Sequence, residues 1–268
     1  AYEIEELADV YFFRPLGMVC AKAARAIGLT PTQVTIIGCL VGILGGTMLY
    51  SESLALAGFA AIILHGILDS SDGQLARMTG QVTELGRVLD GVGGYLTHTA
   101  AYLAIALSMI HHGAAAGTTI ALMLATGVCS AFHAQLYDYN RTCYSRAVIA
   151  RVAAPPANTG IVPWYEAMQR ALAGMHPRVE AAIAARAHDG RVGDEDRDRY
   201  RVCFYGPVRG WNALGDNTRF YAFGVFAWLH RLDAYFLFIL GPMNAVFVAL
   251  WLWQLRADRR FLAGAVIG

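Results

Sequence analysis

Long stretches without a charged side chain constrain this sequence more than any other feature. No Asp, Glu, Lys or Arg lies between Asp90 and Asp138, and shorter charge-free stretches cover residues 36–50, 53–68 and 234–255. About 20 consecutive apolar residues are enough for a helix to cross a bilayer. With 56% hydrophobic and only 15% charged residues, the composition excludes a disordered chain and argues against a single soluble domain.

The charge-free stretches predict an all-α polytopic membrane protein with six transmembrane helices. A polar His-His-Gly break at residues 111–113 separates the third and fourth spans, and the fifth span is the shortest. The predicted spans cover residues 31–51, 53–77, 84–110, 115–137, 216–231 and 233–255.

The basic residues predict the orientation of these spans. If the N-terminus is cytoplasmic, only Arg231 of the 21 Lys and Arg residues falls in an outside loop, as the positive-inside rule requires. We therefore expect an integral membrane protein of a bacterial-type inner membrane, with its N-terminus and its charged site on the cytoplasmic side. The net charge of +1 gives no basic field for nucleic acid.

Four regions follow from this pattern. Residues 1–30 mix apolar and basic positions and are predicted to form an amphipathic juxtamembrane helix at the membrane interface. Residues 31–137 hold the first four spans, and residues 216–268 hold the last two spans and a tail. Between them, residues 138–215 form a predicted cytoplasmic insertion, with helices expected at 163–173 and 177–188 and solvated loops at 189–191 and 194–199.

Ionisable residues collect where the second predicted span ends and the third begins. Such residues at membrane depth are costly and therefore indicate a functional site. Helical spacing places one set on a single face and the other set on a stripe of the next helix, so that three aspartates meet if the faces oppose each other. The sets are Asp69, Asp72, Gly73 and Ala76, and Gly86, Asp90, Gly94 and His98.

Three converging carboxylates repel one another, so they either bind protons or hold a divalent cation. Oxygen ligands suit magnesium, manganese or calcium better than zinc. The small residues at 73, 76 and 86 leave room for a ligand, the Arg77 guanidinium suits a phosphate, and Thr83 stands at a helix start that favours anions. The alternative is a structural ion-pair network in which Arg77 and Arg87 neutralise the acids.

These residues resemble a known signature. The pattern from Asp69 to Asp90 is similar to D-x-x-D-G-x-x-A-R-x8-G-x-x-x-D-x-x-x-D, the signature of the CDP-alcohol phosphotransferase (CDP-alcohol phosphatidyltransferase) family, and matches seven of its eight fixed positions. Residues 30–35, Thr-Pro-Thr-Gln-Val-Thr, are similar to the T-P-N-x-x-T sequence that opens the family's first span.

The resemblance implies an enzyme of phospholipid biosynthesis. It would transfer a phosphoalcohol or phosphatidyl group from a CDP-linked donor to a lipid or alcohol acceptor and release CMP, with Mg²⁺ or Mn²⁺ as cofactor, in a membrane-bound homodimer. The implied metal ligands are Asp69, Asp72 and Asp90. The implied substrate-binding residues are Thr32, Thr35, Gly73, Ala76, Arg77, Thr83 and Gly86.

The sequence departs from the signature at Gly94, where the family has its last aspartate. That acid is taken to bind a second metal and to accept the acceptor's proton, so the second metal site is in question. Three interpretations stay open: an active enzyme in which His98 is the substitute base, a non-catalytic member that serves as a structural or assembly subunit of a membrane complex, or an introduced inactivating substitution. The polar start of the fifth span, residues 216–219, is expected to face the same cavity.

Overall fold

The computed structural model of the 268-residue chain describes residues 3–81, 84–154 and 169–265, without the side chains of residues 84, 85 and 87–91. Within these ranges the regular elements are helical, which confirms the predicted all-α class. The α-helices are α1 (Arg14–Ala26), α2 (Pro31–Met48), α3 (Ala55–Thr79), α4 (Glu84–His111), α5 (Ala116–Tyr144), α6 (His176–Arg186), α7 (Asp194–Trp211), α8 (Asp216–Trp228), α9 (Tyr235–Phe238) and α10 (Asn244–Ala265).

Four helical segments of the described chain are long and apolar enough to cross a membrane, as expected of an integral membrane protein. They coincide with the predicted first, second, fourth and sixth spans. Helices α4 and α8 lie at the predicted third and fifth spans, and the count of six stays a prediction. The four segments are Pro31–Met48, Ala55–Thr79, Ala116–Ala150 and Leu232–Gly264.

The chain divides into two compact units. We call Glu6–Val128 with Asp216–Leu240 the motif unit, because it carries the signature residues. We call Ala1–Glu5, Cys129–Gly215 and Gly241–Gly268 the insertion unit. The four functional regions predicted from the sequence stay a prediction beside this structural division.

Local sequence signals fix the helix ends of the motif unit near the signature. Thr30 caps α2: its hydroxyl accepts a hydrogen bond from the Gln33 backbone N–H, and the Gln33 side chain accepts one from the Thr30 N–H. Pro31 follows at the first helical position, where its missing N–H costs nothing. Helix α3 ends at Gly80, whose φ of 69° lies in the left-handed region.

Helix α2 packs closely against α3 and α4 because small residues line the contacts. A Cβ atom added to Gly45 would lie 2.8 Å from the carbonyl oxygen of Gly58 on α3. One added to Gly46 would lie 2.8 Å from the backbone nitrogen of Ala101 on α4. The three backbones therefore approach as closely as glycine permits, which holds the signature helices together.

The predicted N-terminal helix is present as α1, preceded by one π-helical turn at Asp9–Phe13. Gly17, Ala21 and Ala24 form its buried face, whereas Tyr11 and Val19 are 78% and 65% exposed. This helix therefore has one packed and one exposed apolar face, which fits the predicted amphipathic character. Its location at the membrane interface stays a prediction.

The insertion unit contains more helix than the sequence predicted. The loop predicted at 194–199 is wrong, because these residues form the first turns of α7. The acidic residues at 194–196 interact favourably with the positive end of the helix dipole and so stabilise this helix start. The turn predicted at 189–191 is confirmed by the positive φ of Asp189 and Gly190, and α6 covers most of the helix predicted at 177–188. Helix α5 continues to Tyr144, past the predicted end of the fourth span. Most of the helix predicted at 163–173 lies outside the described residues.

A buried hydrogen-bond network lies in the core of the insertion unit. We call it the histidine network, formed by His176, Tyr200, Gln254 and Asp258. The His176 imidazole lies 2.8 Å from Asp258 Oδ1 through Nδ1 and 2.9 Å from the Tyr200 hydroxyl through Nε2. Gln254 Nε2 donates to Asp258 Oδ1 at 3.3 Å. All four side chains are buried, with at most 3% of their surface exposed.

Candidate active site

The cytoplasm-directed end of α3, in the predicted orientation, presents one buried and one exposed carboxylate. Asp72 is only 5% exposed, and the Thr35 hydroxyl of α2 donates to its Oδ2 at 2.5 Å. The same hydroxyl lies 3.1 Å from the Pro31 carbonyl oxygen. Asp69, one helical turn earlier, is exposed. Two residues that the sequence assigned to separate roles, Thr35 and Asp72, are therefore in direct contact.

A strip of two small residues, Gly73 and Ala76, lies beside these acids, and the Arg77 guanidinium covers part of it. A Cβ atom added to Gly73 would lie 3.6 Å from an Nη atom of Arg77, so the guanidinium lies over this glycine. Ala76 is half-buried and Arg77 is exposed. The strip thus offers bare backbone next to a planar donor, an arrangement that suits a phosphate group.

The remaining signature residues are less closely connected. Thr32 on α2 and Gly86 on α4 are half-buried. Thr83 and the Asp90 side chain lie outside the described residues, so the meeting of the three aspartates stays a prediction.

The donor chemistry fits a hard divalent cation, because Asp69 and Asp72 offer carboxylate oxygens one helical turn apart. Among the described side chains, no three His, Cys, Asp or Glu residues lie together as a metal site, and that set does not include Asp90. The predicted Mg²⁺ or Mn²⁺ is therefore untested by this geometry.

Helix α4 has an open position at Gly94. Apart from the backbone of its own helix, no heavy atom of a described residue lies within 4 Å of a Cβ atom built there, so the described neighbours leave room for a side chain. His98, one turn further, lies with Nδ1 2.9 Å from the Gly94 carbonyl oxygen. Its Nε2 is buried and makes no hydrogen bond to any described residue. The role of His98 as a substitute base stays a prediction.

The start of α8 adds a polar pair to this unit. Arg219 is 2% exposed and donates to Asp216 Oδ1 at 2.5 Å. The Phe220 ring stacks on His98, with centroids 4.9 Å apart, and makes an edge contact with His65 of α3 at 6.2 Å. The sequence predicts a polar start of this span but gives no sign of the contacts of Phe220, because they join residues more than 100 positions apart.

Comparison with known proteins defines the class. The CDP-alcohol phosphatidyltransferase family model matches residues 28–171, just over half of the chain, and the chain belongs to this family. The family resemblance drawn from the signature residues is thereby confirmed.

Curated relatives are similar over shorter stretches. Archaetidylinositol phosphate synthase of Pyrococcus horikoshii is 37% identical over 94 residues, which cover 35% of this chain and 49% of that protein. Phosphatidylinositol phosphate synthase of Mycobacterium marinum is 36% identical over 70 residues, 26% of this chain and 30% of that protein. The chain thus matches about half or less of the length of these relatives.

One solved structure is also similar. The crystal structure of Mycobacterium tuberculosis phosphatidylinositol phosphate synthase with CDP-DAG bound aligns with 82% of this chain and 92% of its own, at 17% identity and a TM-score of 0.38. This degree of similarity is too low to support an inference.

Proposed function

We propose that this chain is a membrane-embedded phosphotransferase of phospholipid biosynthesis. It transfers a phosphoalcohol or phosphatidyl group from a CDP-linked donor to an alcohol acceptor and releases CMP. The observation that carries the proposal is the family signature on α3, where the Thr35 hydroxyl fixes the buried Asp72. The two curated relatives are named for the synthesis of archaetidylinositol phosphate and of phosphatidylinositol phosphate, so a polyol phosphate is the first acceptor to test.

The chain's own residues have separate tasks in this reaction. Asp69, Asp72 and Asp90 would hold Mg²⁺ or Mn²⁺, which when bound neutralises charge on the donor diphosphate and the departing CMP. Thr35 orients the Asp72 carboxylate by donating to it. Arg77 binds a phosphate oxygen, and Gly73 lets the diphosphate approach the backbone.

The remaining substrate contacts follow the family signature. Thr32 and Thr35 line the nucleotide side, and Ala76, Thr83 and Gly86 border the CDP group. We also propose six membrane spans, a cytoplasmic N-terminus and site, and a homodimer in a bacterial-type inner membrane. The positive-inside distribution of Lys and Arg supports this orientation.

Gly94 favours a second candidate function, a non-catalytic structural or assembly subunit built on the same fold. The signature's last acid is absent, and glycine can neither bind a metal nor accept a proton. This candidate predicts stable association with other membrane proteins and no CMP release.

The test is CMP release by the purified chain in lipid nanodiscs. CDP-diacylglycerol is supplied with inositol 1-phosphate, glycerol 3-phosphate or inositol, with Mg²⁺, Mn²⁺ or EDTA. We expect metal-dependent CMP release that Asp69→Asn abolishes and Glu52→Gln leaves unchanged, because the exposed Glu52 lies outside the signature, ahead of α3. No CMP release with any acceptor would overturn the proposal and favour the non-catalytic subunit.

A further inference from the structure

The geometry points to Asp216 as the carboxylate that replaces the signature's absent last acid and accepts the proton of the attacking hydroxyl. This inference rests on the proposed function and deepens it, because it completes the catalytic set on a helix that the signature does not include.

The packing of α8 on α4 fixes the position of Asp216 along the helix axes, which we call its level. Phe220 lies against His98 at 4.9 Å, and Phe223 lies against Tyr102 at 6.2 Å. Both contacts advance toward the C-terminal ends of the two helices, so the helices run parallel here. Asp216 lies four residues before Phe220 on α8, and Gly94 lies four residues before His98 on α4. Each is therefore about one helical turn nearer the N-terminus of its helix. Asp216 therefore lies at the level of the residue that lacks a side chain.

The packing of α8 on α3 gives the same level independently. A Cβ atom on Gly224 would lie 2.7 Å from the Phe59 ring, and Phe220 contacts the His65 ring at 6.2 Å. These contacts run in opposite directions along the two helices, which are thus antiparallel. Asp69 lies one turn after His65 on α3, and Asp216 lies one turn before Phe220 on α8. The two registers place Asp216 level with both Asp69 and Gly94.

Accessibility distinguishes Asp216 from Arg219 and His98. The Asp216 side chain is 60% exposed, whereas that of Arg219, which holds it, is 2% exposed. His98 itself is covered by the stacked Phe220 ring, and its Nε2 is buried. Of these three side chains, the Asp216 carboxylate is therefore the one that a substrate hydroxyl can reach. Asp69, which is also exposed, is proposed as a metal ligand, and Arg219 is a positioning residue.

The open space at Gly94 completes the arrangement. A Cβ atom at position 94 would meet no heavy atom of the described residues within 4 Å outside its own helix backbone, so these residues leave room for the acceptor's hydroxyl where the family carries a carboxylate. In the transfer step, the hydroxyl oxygen forms a bond to the donor's β-phosphorus. The bond from that phosphorus to the CMP oxygen breaks, and CMP leaves with the electron pair. The hydroxyl proton passes to the Asp216 carboxylate.

The experiment compares Asp216→Asn with the double variant Asp216→Asn/Gly94→Asp. Removal of a general base lowers kcat by about 10²-fold to 10⁴-fold. We expect a loss in this range for Asp216→Asn, an unchanged dissociation constant for CDP-diacylglycerol by calorimetry, and at least a tenfold recovery in the double variant. Asp233→Asn is the matched control, because Asp233 also pairs with an arginine, Arg231, but lies beyond the other end of α8.

The outcomes separate this inference from the proposed function. Wild-type CMP release that survives Asp216→Asn overturns the inference alone, and a loss seen only in His98→Gln assigns the proton transfer to His98. If Asp216→Asn weakens donor binding and thermal stability as much as kcat, the residue is structural. If the wild type is inactive and Gly94→Asp alone creates activity, Asp216 does not replace the absent acid although the donor site works. If neither is active, the proposed function itself fails.

Discussion

The two units bury aspartates in different ways. In the histidine network, Asp258 is fully buried and its neighbours His176 and Gln254 are buried with it. At the signature, Asp72 is buried and bonded to Thr35, but Asp69 one turn away is exposed. Buried side chains that bond one another stabilise the fold, whereas an exposed carboxylate beside a buried one can reach a ligand. The comparison predicts that substitutions in the first region change stability and substitutions in the second change activity.

The chemistry of the histidine network agrees with a structural role. Burial raises the pKa of Tyr200 well above its usual value, so its hydroxyl stays protonated and donates to His176 Nε2 throughout the physiological range. His176 Nδ1–H then donates to Asp258. All four side chains of the network are buried, so none of them is exposed to a substrate.

The largest effect is expected for Asp72→Asn. Asparagine keeps an oxygen that can accept the Thr35 hydrogen bond but loses the charge that would hold the cation and orient the diphosphate. Loss of one electrostatic contact of this kind costs about 10³-fold in kcat, so we expect a loss of that size with little change in Tm. CMP release and thermal unfolding of the same preparation measure both. A variant that retains at least one tenth of the wild-type rate would show that the signature carboxylate is not needed.

The converse is expected for Asp258→Ala in the histidine network. Removing the carboxylate leaves the buried His176 Nδ1–H without its acceptor and costs about 1–3 kcal/mol of unfolding free energy. The rate per folded molecule should not change. Asp198→Asn is the control, because that side chain is 67% exposed beside Arg197 and its loss costs less than about 1 kcal/mol. An unchanged unfolding midpoint for Asp258→Ala would contradict the structural role.

The sequence predicted the parts of this fold that depend on local pattern. Charge-free stretches located the long apolar helices, and the spacing from Asp69 to Asp90 identified the family. The contact between Thr35 and Asp72 could not be predicted in the same way, because it joins two helices through a packing that only tertiary structure sets. The level of Asp216 relative to Gly94 is hidden for the same reason.

The incorrect prediction of a loop at residues 194–199, where α7 begins, has a different cause. Six of its first seven residues are charged, so the segment was interpreted as solvated. The helical signal lies later, where Tyr200, Phe204, Val208 and Trp211 recur at helical spacing and are all buried. Charges on the exposed face and in the first turn masked an amphipathic helix whose apolar face forms part of the core of the insertion unit.

A smaller effect is expected for Thr35→Val, which removes the hydroxyl but keeps the shape of the side chain. A hydrogen bond to a charged group contributes about 1.5–3 kcal/mol, so kcat should fall by about tenfold to 100-fold as Asp72 loses its orientation. Thr47→Val on the same helix is the control, because the Thr47 hydroxyl bonds only its own helix at Leu44. Equal rates for the two variants would remove the orienting role of Thr35.

The smallest and most discriminating effect is expected for Gly73→Ala, where stability and binding should move in opposite directions. The new Cβ would meet only the Arg77 guanidinium at 3.6 Å, an ordinary contact, so the gain in helix propensity should stabilise the fold by about 0.5–1 kcal/mol. The same methyl group occupies the strip proposed for the donor diphosphate, so the dissociation constant for CDP-diacylglycerol should rise several-fold in calorimetry. Gly127→Ala in α5, where a Cβ meets no described atom within 4 Å outside its own helix backbone, should raise stability without changing donor affinity. Donor binding unaffected by Gly73→Ala would place the diphosphate elsewhere, and the exposed charges near Gly73 would then need a different ligand.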